Sequence, residues 1–309
     1  MLRSAILATA RSVRARSLIE TLPVTRPVVR RFVAGAETAD AVRVTRSLLA
    51  DGRRVSLDHL GEDATDRARA EATVLAYQAV VAALADAGLS AGADLSVKLS
   101  AAGQNLPVDG EKIALDNART ICAAAAEAGA TVTLDMEDHT TTDSTLGILR
   151  ELRADFPWVG AVVQAYLRRT EQDCRDLSGE GSRVRLCKGA YAEPPSVAYQ
   201  DKADVDRSYA RCLGILMRGA GYPMVASHDP RMIDLAGRLA TETGRGRTGF
   251  EYQMLYGVRP GEQRRIASDG DTVRVYVPYG EEWYGYFMRR LAERPANLTF
   301  FLRSLATRG

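Results

Sequence analysis

Short apolar runs alternate along this chain with longer segments in which apolar residues recur at helical spacing. Eight runs are short and apolar enough to be strands: 55–57, 95–98, 132–135, 159–164, 184–188, 224–227, 250–254 and 273–277. Five of the segments between them predict helices over 65–86, 109–128, 142–153, 201–220 and 229–242. The strands are too apolar for one-sided exposure, which is typical of a parallel sheet buried on both faces. Eight strand-then-helix units predict an α/β fold, a closed (βα)8 barrel.

The last predicted strand, 273–277, leads into a helix with clear end signals. A Pro-Tyr-Gly sequence ends the strand. Glu281 and Glu282 are expected in the first turn of the helix, where the helix dipole favours acidic side chains, and Pro295 is expected to stop it.

One side of that helix carries charged and aromatic groups. At about 100° per residue, this side holds Tyr286, Arg289, Arg290 and Glu293. Such a face is usually just solvated. Two adjacent arginines also suit bidentate binding of a small carboxylate. The helix alone leaves both interpretations open.

Polar side chains stand at the ends of seven of the predicted strands. They are Lys98, Asp135, Gln164, Arg185 with Lys188, Ser227 with His228, Gln253, and Tyr276. The carboxyl ends of barrel strands meet on one face, where barrel enzymes carry their chemistry. Taken singly, Lys98 could be a surface lysine, Asp135 a helix cap and His228 a core histidine. Together they predict a site for a large, polar, partly anionic ligand.

Two of these strand ends suit an anion. Arg185 and Lys188 place two cations at one end, and Gly189 allows close approach of the backbone to a ligand. The sequence after Ser227 opens a helix, whose N-terminus favours anions. By contrast, the GxGxxG sequence at 244–249 leaves a helix and enters a strand, so it predicts a turn rather than a dinucleotide site.

Composition excludes several classes of function. A net charge of +2 over 309 residues gives no basic field for nucleic acid. The four cysteines lie far apart without a CxxC pair, which is typical of reduced thiols in a cytoplasmic protein. The three histidines show no metal-ligand spacing, so no structural metal is expected.

We expect the chain to divide into an N-terminal basic helical arm, residues 1–50, and a catalytic barrel domain, residues 51–309. Residues 1–31 contain seven arginines and one acid, interleaved with apolar residues. This composition fits a transit peptide, a basic helix that touches anionic lipid, or an ordinary surface helix. No run is long enough to span a bilayer. The expected location is the cytoplasm, with peripheral contact to the inner face of the cell membrane as one interpretation of the arm.

Eight ordered blocks resemble the monofunctional bacterial proline dehydrogenases. They are VSLDHLGE (55–62), SVKLSA (96–101), LDMED (134–138), VVQAYLRRT (162–170), VRLCKGAY (184–191), ASHDP (226–230), FEYQMLYG (250–257), and RVYVPYG with YFMRRLAERPAN (274–297). The resemblance implies a distorted (βα)8 barrel with N-terminal helices and a final helix over the active site. It implies oxidation of L-proline to Δ1-pyrroline-5-carboxylate by hydride transfer to FAD, with electrons passed to a membrane quinone. A downstream pyrroline-5-carboxylate dehydrogenase is a further expected partner.

The resemblance also implies roles for the substrate residues. Arg289, Arg290 and Lys98 would hold the proline carboxylate. Tyr276 and Tyr286 would shape the pocket for the ring.

Two further residues are implied as catalytic, and others as cofactor contacts. Asp135 is expected near substrate and flavin, and Arg185 beside the isoalloxazine. The other expected cofactor residues are Met136, Gln164, Lys188, Gly189, Ala190, Tyr191, Ser227, His228 and Glu293. Glu293 is also expected to fix the arginine-bearing helix through a salt bridge.

Two departures from the family pattern and two rival functions remain. Ala192 stands where some members have tryptophan, and Ser227 replaces the usual threonine. A Schiff-base lyase could use Lys98 or Lys188 as its nucleophile. A flavin-binding sensor without turnover would use the same barrel.

Overall fold

The computed structural model describes residues 29–293, with the backbone alone for Arg289 and residues 291–293. Eight parallel strands form a closed barrel in chain order. Closure comes from the pairing of the first and last strands, in which Val55 lies opposite Val275. The strands are β1 Arg54–His59, β2 Ala93–Val97, β3 Thr131–Leu134, β4 Gly160–Gln164, β5 Arg183–Cys187, β6 Tyr222–Ala226, β7 Glu251–Leu255 and β8 Val273–Tyr279. The predicted barrel and strand count are confirmed.

Helices cover the outside of the barrel. They are α1 Thr38–Ala50, α2 Arg67–Asp86, α3 Gly110–Ala128, α4 Thr142–Asp155, α5 Thr170–Asp176, α6 Lys202–Arg218, α7 Pro230–Glu242, α8 Pro260–Ser268 and α9 Trp283–Glu293. Aspartates cap several of them: the Asp66, Asp201 and Asp229 carboxylates accept backbone N–H groups of the first turns. None of the described helices is both long and apolar enough to cross a membrane.

The predicted start of the last helix is wrong in detail. Glu281 and Glu282 precede α9, which begins at Trp283, so they lie outside its first turn. The predicted stop at Pro295 lies outside the described residues. A short 3-10 turn precedes α4, and Asp138 caps that turn by accepting the Thr140 N–H at 2.9 Å.

Strand residues alternate between an apolar layer facing the helices and a polar layer in the barrel. In β2, for example, Ala93, Leu95 and Val97 belong to the main apolar core, whereas Asp94 and Ser96 bond to polar groups of other strands. The core therefore lies between barrel and helices, and the barrel interior is held by hydrogen bonds and ion pairs.

Asp94 is the hub of the polar layer near the amino ends of the strands. It is fully buried. It accepts hydrogen bonds from Ser56 at 3.0 Å and Thr131 at 2.7 Å, and pairs with Arg183 at 3.2 Å and Arg185 at 3.4 Å. Burial opposes its ionisation, but Arg183, Arg274 and Arg185 outweigh burial and hold the pKa of Asp94 below its ordinary value.

Asp94→Asn is expected to lower the free energy of unfolding by about 3–5 kcal/mol, because it leaves buried guanidinium groups without their counter-charge. The depressed pKa means that the charge stabilises the fold above the ordinary value of 3.8 and loses that effect as pH falls. The difference between wild type and variant should therefore shrink below about pH 4. Chemical denaturation of both proteins at several pH values measures this difference in the free energy of unfolding.

Asp155→Asn is the matched control for this prediction. Asp155 pairs with Arg119 at 3.1 Å on the surface, where both side chains are exposed. Its loss should cost under about 1 kcal/mol. Equal losses for the two variants would show that the Asp94 network does not stabilise the barrel.

The described part of the N-terminal arm packs on the barrel. Ala41, Val44 and Leu48 of α1 belong to the same apolar core as the strands. Residues 29–35 lie against the end of β8, where the Ala34 N–H donates to the Pro278 carbonyl at 2.9 Å. Within residues 29–50 the arm is thus an ordinary packed element, while residues 1–28, with most of its arginines, lie outside the described residues.

Candidate active site

Asp135 forms one cluster with three other predicted site residues at the carboxyl ends of the strands. It follows β3 directly. Its Oδ1 accepts from Arg185 Nη1 at 2.7 Å, and its Oδ2 accepts from the Tyr276 hydroxyl at 3.0 Å. The Lys98 ammonium lies 3.9 Å from Oδ2. The interpretation of Asp135 as a helix cap is therefore wrong, since its oxygens are taken by these side chains.

Arg185 rises from β5 into the middle of the barrel. Its Nη1 donates to Ser96 Oγ at 2.7 Å and its Nη2 to Ser56 Oγ at 3.0 Å. The guanidinium lies 5.5 Å from the centre of the Tyr276 ring. Its buried Nε–H has no acceptor among the described residues. Arg185 is thus fixed from three strands and keeps one buried donor for another group.

The Tyr276 hydroxyl stays protonated in this environment. Burial raises its pKa most, and the Asp135 and Asp58 carboxylates raise it further, to well above the ordinary value. A protonated hydroxyl can donate to Asp135, as the 3.0 Å contact requires.

Lys98 is a buried cation rather than a surface lysine. It is 9% exposed, and its ammonium donates to Asp58 Oδ1 at 2.6 Å. Burial disfavours the charge, but Asp58, Asp135 and Glu62 more than offset it and raise the pKa above the ordinary value. A Schiff base requires a neutral amine, so this environment argues against Lys98 as a nucleophile.

Lys188 sits in a second charged cluster at the ends of β5 and β6. Its ammonium bridges Asp206 at 2.5 Å and Asp229 at 3.0 Å. Lys202 and Arg231 also pair with Asp206, each at 2.7 Å. Partial burial opposes ionisation of Asp206, but the three cations hold its pKa at about 2. Three cations thus share two carboxylates, which leaves a positive excess for an anion, and the paired Lys188 is a poor candidate nucleophile.

The loop after β5 packs against Tyr166. Gly189 has φ +108°, and a Cβ there would lie 2.3 Å from the Tyr166 ring, so glycine is required for both conformation and space. Ala190 and Tyr191 follow and are exposed. The buried Glu193 carboxylate accepts the His139 N–H at 2.9 Å and the Tyr166 hydroxyl at 3.3 Å, and contacts the His139 ring. Glu193 therefore fastens the loops after β3 and β5 together.

Four other predicted cofactor residues lie at the same face. Met136, which follows Asp135 in the sequence, is buried. Gln164 donates to the Glu137 carbonyl at 2.6 Å, and Ser227 Oγ accepts the Asp229 N–H at 3.1 Å. His228 Nε2 accepts the Leu255 N–H at 2.9 Å, which is the structural role that the sequence left open for it.

The helix α9 places Tyr286 and Arg290 at the same end of the barrel. Tyr286 and Phe287 are buried in a small apolar cluster with Leu60, which follows β1. Arg290 is half-buried, with its guanidinium 5.1 Å from the centre of the Tyr286 ring. The side chains of Arg289 and Glu293 lie outside the described residues. Tyr286 thus belongs to the packed side of the helix, not to a solvated charged face.

Sequence reasoning missed the residues beneath the site. Ser56, Asp58, Asp94 and Ser96 hold Arg185 and Lys98 in place, yet they lie inside strands rather than at their ends. The available signal was the alternation of polar and apolar residues in Ser56-Leu57-Asp58 and Asp94-Leu95-Ser96.

Comparison with known proteins agrees with this arrangement. The family model described as Proline dehydrogenase matches residues 41–303. The chain is 42% identical over 279 residues to the proline dehydrogenase of Deinococcus radiodurans, with 89% of both chains covered. The chain belongs to the proline dehydrogenase family. It is therefore an oxidoreductase of proline catabolism.

Other relatives place the fold in the same family. Proline dehydrogenase 1 of Bacillus subtilis is 38% identical over 281 residues, 91% of each chain. The crystal structure of proline utilization A from Bdellovibrio bacteriovorus superposes with a TM-score of 0.80 at 25% identity, covering 90% of this chain and 34% of that one. The chain thus spans about a third of that larger protein.

Proposed function

We propose that this enzyme oxidises L-proline to Δ1-pyrroline-5-carboxylate with FAD as hydride acceptor and passes the electrons to a membrane quinone. One observation supports it above the others: Lys98, Asp135, Arg185 and Tyr276 form a single cluster of hydrogen bonds and ion pairs at the end of the barrel where α9 lies. Such a cluster combines fixed charge with an aromatic wall, as an amino-acid substrate and a planar cofactor require.

The residues present fit a flavin dinucleotide. The buried Arg185 Nε–H needs an acceptor, and none lies among the described residues. The cluster around Lys188 has a cationic excess suited to phosphate, and Gly189 exposes backbone beside it. The residues proposed to hold the cofactor are Met136, Gln164, Arg185, Lys188, Gly189, Ala190, Tyr191, Ser227, His228 and Glu293. When bound, the flavin supplies a two-electron acceptor for hydride.

The substrate residues act by binding and orientation. Arg289, Arg290 and Lys98 are proposed to bind the carboxylate, while Tyr276 and Tyr286 flank the ring. Binding the carboxylate remotely from the reacting carbon turns binding energy into alignment. Asp135 holds Arg185 and Tyr276 in the required orientation. Oxidation removes a hydride from the ring carbon beside nitrogen and a proton from the amine, which leaves the C=N bond of the product.

Anaerobic absorption spectra of the purified protein test the proposal. A yellow protein that bleaches on addition of L-proline and recovers its colour with a soluble quinone is the expected result. A colourless protein trapped by borohydride with a carbonyl substrate would instead indicate the lyase, and a yellow protein that proline does not bleach would indicate a sensor.

A pyrroline-5-carboxylate dehydrogenase is proposed to take the product.

The N-terminal arm is proposed to support peripheral contact with the inner face of the cell membrane, where the quinone resides. Five of the seven arginines in residues 1–31 precede residue 29. Removing residues 1–28 is expected to weaken sedimentation with anionic vesicles by about tenfold or more, since each basic residue near such a surface contributes about 1 kcal/mol. Turnover with a soluble dye should persist. Equal sedimentation of both proteins would exclude the membrane role.

A further inference from the structure

A strap formed by residues 29–35 lies against the final helix and the turn before it. The Ala34 N–H donates to the Pro278 carbonyl at 2.9 Å, and the Gly280 N–H donates to the Gly35 carbonyl at 3.0 Å. The strap is therefore hydrogen-bonded to the end of β8 and to Gly280, the first residue of the turn that leads into α9.

The side chains of the strap complete the packing beneath α9. Phe32 is 2% exposed, and its ring centre lies 6.4 Å from that of Phe287, which is fully buried. Val29 and Val33 join the same apolar cluster, together with Leu60 and Tyr286. The helix thus rests on the strap and on the loop after β1.

The far side of the strap is fixed as well. A Cβ at Gly257, in the loop after β7, would lie 1.7 Å from the Arg31 carbonyl oxygen. The glycine has φ +75° and allows the two backbones to touch. The strap is consequently wedged between that loop and α9, and a shift of Phe32 has to be transmitted to the helix.

The position of α9 depends on this packing. A helix of 11 residues is too short to be stable alone, so tertiary contacts determine where it lies. Phe287 contacts the strap, Tyr286 precedes it directly in the helix, and Arg290 lies three residues further on. Displacement of a binding group by even about 1 Å can cost two orders of magnitude in rate or affinity.

We infer that Phe32 is a positioning residue for substrate recognition: by packing on Phe287 it sets the position of Tyr286 and Arg290 over the barrel. This inference rests on the proposed role of α9 in binding the proline carboxylate. It assigns the segment before α1 to the substrate site, although that segment is distant from the site in sequence.

The test compares Phe32→Ala with Phe250→Ala. Phe250 is 3% exposed and precedes β7, at the opposite end of the barrel, where it packs on Tyr252 at 5.1 Å. Both variants lose a buried phenyl ring, so both should lower the melting temperature. Only Phe32→Ala is expected to raise the KM for proline, by about tenfold or more, with kcat changed less than about threefold. Phe32→Leu should restore most of the affinity.

Binding without turnover gives a second measurement. Cyclopentanecarboxylate has the ring and carboxylate of proline but no amine to oxidise, and calorimetry measures its Kd. Phe32→Ala should raise the Kd of this analogue in parallel with the KM for proline, while the flavin content stays at the wild-type level. Equal KM and Kd for the Phe32→Ala, Phe250→Ala and wild-type proteins would overturn the inference.

Arg290→Lys, measured alongside, separates the inference from its premise. If Arg290→Lys and Phe32→Ala both weaken binding, both ideas stand. If only Arg290→Lys does so, α9 binds substrate but the strap does not position it. If Arg290→Lys has no effect, the proposed role of α9 fails, and the inference fails with it.

Discussion

Replacing Arg290 by lysine is expected to raise the KM for proline about 100-fold, equivalent to about 2.8 kcal/mol at 1.4 kcal/mol per decade. A guanidinium presents two parallel N–H donors to a carboxylate, whereas an ammonium presents a point charge. Arg290 also lies 5.1 Å from the centre of the Tyr286 ring, a contact that fixes the plane of the fork. Lysine would lose both the bidentate geometry and this stacking.

The flavin should remain bound in that variant. The cluster proposed to hold the cofactor, around Arg185 and Lys188, shares no described hydrogen bond with Arg290. The measurements are the KM for proline and the visible absorbance per protein. Arg289→Lys, at the neighbouring position, is expected to behave alike.

Arg153→Lys is the matched control. Arg153 is also half-buried, but it donates to the Val159 carbonyl at 2.9 Å just before β4, at the other end of the barrel. Its replacement should leave the KM unchanged. An unchanged proline affinity in Arg290→Lys as well would rule out the arginine-bearing helix as the carboxylate site.

Asp135→Asn is expected to lower kcat/KM for proline by about 100-fold or more. The carboxylate accepts hydrogen bonds from Arg185, Ser96 and Tyr276 and lies near the Lys98 ammonium. An amide has one acceptor oxygen, so its NH2 group must face one of these donors. The loss of charge also leaves the buried Arg185 without its closest carboxylate, which removes the group that orients it.

Asp138→Asn provides the control for the same change in the same loop. Asp138 caps a 3-10 turn through the Thr140 N–H, and asparagine caps equally well. Steady-state turnover of the two variants, with flavin content measured for each, separates the catalytic effect from loss of the cofactor. Wild-type turnover in Asp135→Asn would show that its carboxylate is not needed to orient the site.

Several features could be predicted from sequence because they depend on local pattern. The eight apolar runs give the strand count. Because helical segments separate them, the strands are expected to run parallel and to close into a barrel, as they do. Lys98, Asp135, Arg185 and Tyr276 can be predicted as neighbours because the strand ends of a parallel barrel share one face. The resemblance to the family followed from blocks at those same ends.

The sequence by itself determined the barrel, the family and the polar strand ends, because periodicity and motifs are properties of neighbouring residues. Tertiary structure alone decided the partners of each charge. Asp94 meets Arg183 across 89 residues, since strand register and closure determine which inward-facing side chains share a level. Phe32 meets Phe287 because backbone hydrogen bonds join residues 34 and 35 to the end of β8, from which α9 follows. The burial of Lys98 against Asp58 has the same origin, because only the pairing of β1 with β2 brings the two together.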